Sequence, residues 1–155
     1  ILDGTDVLYL GRYEGRQQIR LTANIGDRFP AICTATGKAL LANLPRGEAE
    51  ERYREKPSAF IQLTNKSLKN VAELSKDLEA TREHGYATDD EEDCDGIFCV
   101  GAAFFDHNGR CVGAVSATGI KRELSQRAVD QLGRQVIEAA HEVTIALGGK
   151  VRKQA

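Results

Sequence analysis

Cys99, Ser116 and Thr118 are the residues whose types and spacing most invite chemistry in this chain of 155 residues. They stand in two neighbouring apolar runs. A thiol and two hydroxyls there offer either a nucleophile or, more simply, three weakly polar groups that orient a ligand. Nucleophilic use of the thiol requires a base, and the three histidines supply none by position. His84 falls at a predicted helix end, His107 in a predicted turn and His141 in the last helical stretch. Apolar neighbours also raise the pKa of a mid-strand thiol and keep it inert. Ser116 lacks the strained G-x-S-x-G elbow of a hydrolase serine.

Metal and phosphate chemistry find no support either. The four cysteines, Cys33, Cys94, Cys99 and Cys111, lack the paired spacing of a zinc site. The acidic run Asp89-Asp-Glu-Glu-Asp-Cys-Asp95 reads for the most part as a solvated loop. Its continuation Asp95-Gly96 imitates a calcium loop, but Ala102 stands where the closing glutamate belongs. Gly37-Lys38 is followed by Ala39 and has no upstream glycine at P-loop spacing. No cofactor is indicated.

The elements that carry these residues are legible. Ile97–Phe105 and Cys111–Thr118 are short and rich in Val, Phe, Ala and Cys, and read as strands. Asp106-His107-Asn108-Gly109 between them suits a type I turn. A hairpin closed by Phe105 and Arg110 sets Cys99 opposite Ser116 and Ile97 opposite Thr118. Alternation then puts these four on one face with Gly101, Ala103 and Ala114. Small residues beside weakly polar ones suit a ligand pocket. They suit equally a helix packed close to the sheet.

Elsewhere, Val7–Tyr13 and Gln18–Ala23 read as strands and Gly37–Leu44 as a helix capped by Thr34. The first turn Ala35-Thr36-Gly37 presents backbone N–H groups able to hold a carboxylate. Glu48–Glu55 reads as a surface helix. Asn70 and Glu73 have capping-box spacing for a helix reaching His84, with Gly85 as its stop and Leu74, Leu78 and Thr81 as its buried stripe. Ser125 caps a final helix to Leu147 whose apolar face is Val129, Leu132, Val136, Ala140, Val143 and Leu147. Helices interspersed with antiparallel hairpins make an α+β fold.

One domain of this length buries a full core. The net charge of −2 carries no electrostatic footprint for nucleic acid or an anionic membrane. No apolar run is long enough to span a bilayer. Unpaired cysteines suit a reducing, cytoplasmic setting. The absence of methionine, the initiator included, reads as a piece of a longer protein.

These residues together resemble the effector-binding domain of IclR-type transcriptional regulators over nearly the whole chain. The resemblance rests on Pro30–Leu44 (PAICTATGKALLANL), Gly85–Asp106 and Gly109–Gly119. Gly85, Asp89, Glu92, Cys99, Val100, Gly101, Phe105 and Asp106 hold the places of the family's signature. Phe104 and Thr118 depart from it. The resemblance implies a GAF-like fold, a curved antiparallel sheet flanked by helices. It implies a homodimer or homotetramer, and a winged helix-turn-helix that contacts DNA and is missing from this chain. The effector it implies is a small metabolite, expected here to be a carboxylic acid. The implied ligand-binding residues are Gln18, Phe29, Ala35, Thr36, Gly37, Asp89, Ile97, Cys99, Ser116 and Thr118. Two alternatives stay open: a GAF-fold thiol reductase using Cys99, and a ligand-free dimerisation module.

Overall fold

A computed structural model describes residues 1–14, 23–121 and 124–151, and among these it shows two three-stranded antiparallel sheets and four α-helices. The first sheet joins β1 (Leu2–Asp3), β2 (Asp6–Leu8) and β3 (Arg28–Pro30) in that order. The strand expected over Val7–Tyr13 is thus limited to its first residues. It pairs with β1 and β3, with Val7 opposite Leu2 and Phe29. Of the strand expected at Gln18–Ala23, all but Ala23 lies outside the described residues.

Helix α1 (Ala35–Ala42) begins as the sequence predicts, with Gly37 N–H donating to Thr34 Oγ1 at 3.0 Å. All eight of its residues are buried, so it is the central rod of the domain rather than a half-exposed helix. Helix α2 (Glu48–Glu55) is a surface helix that buries only Ala49 and Tyr53. Helix α3 (Val71–His84) opens on Asn70, whose side chain accepts from Glu73 N–H at 3.0 Å. It closes on Gly85 at φ 76°, a conformation in which glycine has no Cβ to strain. Leu74, Leu78 and Thr81 are its buried residues, as periodicity requires.

The second sheet has the order β4 (Ala87–Asp90), β5 (Ile97–Phe105), β6 (Cys111–Ile120). Its hairpin register differs from the expected one. Gly109 N–H donates to Asp106 O and Asp106 N–H to Arg110 O, both at 2.9 Å, with Gly109 at φ 74°. The loop is therefore a turn plus one left-handed glycine, one residue longer than a plain type I closure. A bulge then inserts Val112, because Phe105 faces Cys111 while Phe104 faces Gly113. The two single-residue offsets add, so Cys99 faces Thr118 and Gly101 faces Ser116. An even shift preserves the face, so the predicted grouping survives although the predicted partners do not.

Helix α4 (Gln126–Ala146) starts at Ser125, whose hydroxyl accepts from Ala128 N–H at 3.3 Å. Its buried residues are Gly133, Val136, Ala140 and Thr144. Val143 and Leu147 do not continue the buried face, and Leu147 is exposed. Thr144 takes their place because its hydroxyl accepts from Phe105 N–H at 3.1 Å and donates to Ala140 O at 2.9 Å. One core lies among Ile32, Leu41, Tyr53, Leu74 and Leu78. The other joins Phe98, Val100 and Ala102 of β5 to Val136 and Ala140 of α4. The opposite face of β5 is left for the start of α1.

Candidate functional site

Gly101 allows the helix start to meet the sheet. A Cβ there would lie 2.7 Å from the carbonyl carbon and oxygen of Ala35 and 3.0 Å from Thr36 N. Gly37 does the same on the other side, where a Cβ would fall 2.2 Å from Ala31 O. With both glycines in place, Thr36 Oγ1 donates to Ser116 Oγ at 3.0 Å. Burial pushes the Tyr9 phenol up, against the opposing effect of the Thr36 side chain beside it. Phe29 packs edge-on against Tyr9 with ring centroids 5.3 Å apart. Ser116 and Thr118 are exposed, so the cluster forms a floor open to solvent above the two hydroxyls.

Beside this lies a row across the sheet, with Cys99 paired to Asp89 on one side and Thr118 on the other. Thr118 Oγ1 donates to Cys99 Sγ at 3.3 Å, with the Asp89 side chain beside the thiol on the neighbouring strand. Burial, then the Asp89 charge, pushes the thiol up to about 12. Asp89 is 2 % exposed, and burial raises its pKa as well. Its Oδ1 accepts the N–H groups of Glu92 at 2.8 Å and Asp93 at 3.3 Å. Burial and then Asp89 push Asp93 up to about 6.

In the acidic run Cys94 and Asp95 are exposed and Asp90, Glu91 and Asp93 partly so, whereas Asp89, the member the resemblance sets at the pocket, is buried and Glu92 is buried against expectation. Lys38 of α1, fully buried, places Nζ 2.6 and 2.7 Å from the Glu92 oxygens and 3.0 Å from Asp77 Oδ2. Burial alone would lower the Lys38 ammonium, but these two carboxylates raise it. Ser67 Oγ donates to Glu92 O and Thr64 Oγ1 to Glu91 O, both at 2.7 Å. A buried cation and two hydroxyls thus hold the loop against the end of β4.

The structure brings together Ala35, Thr36, Gly37, Asp89, Cys99, Ser116 and Thr118, and connects Phe29 to them through Tyr9. Ile97 shares the face but pairs with Ile120, at the far end of the hairpin from its turn. Gln18 lies outside the described residues. Tyr9, Asp93 and Lys38 were missed. Tyr9 follows Val7 at strand alternation, which was a usable signal; the burial of Asp93 and Lys38 depends on contacts across the fold. Among the described residues no group of three or more His, Cys, Asp or Glu side chains is placed to hold a metal. No described helix is long and apolar enough to cross a membrane.

Residues 1–145 match the family model of the bacterial transcriptional regulator IclR C-terminal domain. The HTH-type transcriptional repressor AllR of Escherichia coli K12 is 33% identical over 150 residues, covering 97% of this chain and 55% of the repressor. The transcriptional repressor IclR of the same strain is 32% identical over 151 residues, covering 96% of this chain and 54% of that protein. The chain therefore spans about half the length of these relatives. Among solved structures, the Agobacterium tumefaciens repressor BlcR superposes with a TM-score of 0.88 at 32% identity, covering 97% of this chain and 59% of that one. A double mutant of the PobR inducer-binding domain from Acinetobacter, in complex with 3-hydroxybenzoic acid, shares the fold with a TM-score of 0.79 at 23% identity, covering 93% of this chain and 84% of that one.

Proposed function

Because the chain belongs to the IclR family of bacterial transcriptional regulators, as the effector-binding C-terminal domain, we propose that it senses a small carboxylic acid on the floor formed by Thr36, Ser116 and Thr118. The observation that carries this reading is the Thr36–Ser116 bond beneath the first turn of α1. In that bond Ser116 is the acceptor, so its own hydroxyl proton is left to donate to a carboxylate, and neutral donors of this kind bind one without Arg or Lys. Tyr9, Phe29 and Ile97 give the apolar body of the acid a wall. Asp89 and Asp93 have raised pKa values, which lessens their repulsion of an anion. The PobR domain holds an aromatic acid, an example of what a domain of this fold admits.

In the whole regulator, DNA is contacted by a helix-turn-helix domain in the part of the relatives that this chain does not cover. The net charge of −2 gives this chain no overall basic excess for the task. The regulator works as a homodimer or homotetramer, and the acid acts through its different affinity for two arrangements of the DNA-binding domains. A thiol reductase is disfavoured because a Cys99 thiol at about 12 is not a thiolate at neutral pH.

A thermal-shift screen of aliphatic, sugar and aromatic acids tests the reading. An acid present at about a hundred times its Kd adds about 2.7 kcal/mol of stability. Stabilisation by cationic or uncharged compounds alone would overturn it.

A further inference from the structure

Lys38 follows Thr36 by two positions on α1, and the two side chains tie the start of that helix to different parts of the sheet. Thr36 reaches β6, while Lys38 reaches the loop between β4 and β5. The three donors of the Lys38 ammonium match three acceptors, the two oxygens of Glu92 and Asp77 Oδ2. Glu92 is held at two further points. Its carbonyl accepts from Ser67 Oγ at 2.7 Å, and its N–H donates to Asp89 Oδ1 at 2.8 Å. Lys38 and Asp89 are thus linked through a single residue.

The loop itself has an imposed shape. Glu91 stands at φ 64°, a left-handed conformation that a residue with a Cβ adopts only at a cost. Contacts around it override that cost. Lys66 pairs with its carboxylate, Gly96 N–H donates to its Oε1 at 2.9 Å, and Thr64 Oγ1 donates to its carbonyl at 2.7 Å. The turn made at Glu91 brings the N–H groups of Glu92 and Asp93 back onto Asp89. A buried ion pair is a weak source of stability, because apolar side chains of similar volume often serve as well. What the Lys38–Glu92 pair adds is direction, since its bonds form in only one placement of the loop.

We propose that Lys38 is a positioning residue of the sensor: acting through Glu92, it fixes the loop that aims Asp89 at Cys99 and Thr118, so that α1 and the row beside the floor hold one geometry. Asp89 sits opposite Cys99 in the sheet, and Cys99 opposite Thr118. The placement of Asp89 stands on this geometry alone. Its consequence for binding rests on the reading of the Thr36–Ser116 floor as the acid site.

The test is the double variant Lys38→Met/Glu92→Gln, which removes both charges at nearly constant volume. Its urea midpoint is expected to stay near that of wild type. Even so, the amides of Cys99 and Thr118 are expected to shift in NMR spectra of the free protein, and iodoacetamide to modify Cys99 faster. In an Asp89→Ala background the same double substitution should add little to the Cys99 rate, because the effect passes through Asp89. Calorimetry with benzoate, lactate and gluconate should show about tenfold weaker binding of whichever acid wild type takes. Glu92→Gln alone, whose amide oxygen still accepts from Lys38, repeats the measurements if the double variant does not fold. A folded variant with wild-type Cys99 and Thr118 amides and a wild-type Cys99 rate would overturn the proposal, and so would a full additional effect without Asp89 or an unchanged acid affinity. If wild type binds none of the three acids, the acid reading of the floor fails, while the amides and the Cys99 rate still decide the role of Lys38.

Discussion

Thr36 and Ser116 are eighty positions apart in the chain, and their hydroxyl oxygens are 3.0 Å apart in the fold. That bond joins the first turn of α1 to the middle of β6, so the start of the helix and the sheet cannot shift independently at this point. A ligand seated there reads both elements together, which is the requirement for passing its presence to the rest of a regulator.

Removing one hydroxyl tests the floor directly. Ser116→Ala should lower the affinity for an acid found in the screen by about 1–2 kcal/mol, the loss of a bond to a charged group. Stability should also fall by about 1 kcal/mol, because the buried Thr36 hydroxyl loses its acceptor. Calorimetry of wild type and variant decides it, and an equal Kd removes Ser116 from the site.

Gly101→Ala probes the close approach rather than the hydroxyls. Its new methyl group would meet the Ala35 backbone at 2.7 Å, so helix and sheet must separate. Overpacking of this kind costs about 1–3 kcal/mol, and the acid response should fall with it. Urea unfolding measures the first effect and the thermal-shift assay the second. Wild-type values in both would show that the approach can relax.

Cysteine labelling separates a binding wall from a thiol enzyme. Cys94 is exposed, whereas burial pushes Cys33 and Cys99 up to about 12. Iodoacetamide at pH 7 should therefore modify Cys94 well before Cys99, as read by peptide mass spectrometry. A Cys99 that reacts first would favour the reductase.

The raised acids give stability a defined pH dependence. The fold raises Asp93 from 3.8 to about 6, so it favours the protonated form. The contribution is complete below 3.8 and lost as pH rises through about 6. Asp93→Asn should then be favoured over wild type progressively across that window, in urea midpoints measured at a series of pH values. A constant difference between the two proteins would show that Asp93 titrates alike folded and unfolded.

Local rules determined much of this molecule from the sequence alone. Thr34, Asn70 and Ser125 cap helices, and Gly85 stops one, because capping depends only on residues within one turn. The shared face of Cys99, Gly101, Ser116 and Thr118 was legible because strand alternation has a period of two, and an even error in register leaves it intact. The actual partners were decided by the left-handed Gly109 and the bulge at Val112, whose insertion answers to sheet geometry that no residue type announces. The acidic run shows the same division more sharply. Composition marks it as solvated, and only the fold delivers the buried Lys38 from α1 and the hydroxyls of Thr64 and Ser67 that hold it in place. Burial of charge is a property of what arrives from elsewhere in the chain, so the tertiary structure alone decides which of these carboxylates are solvated and which titrate beside the floor of the site.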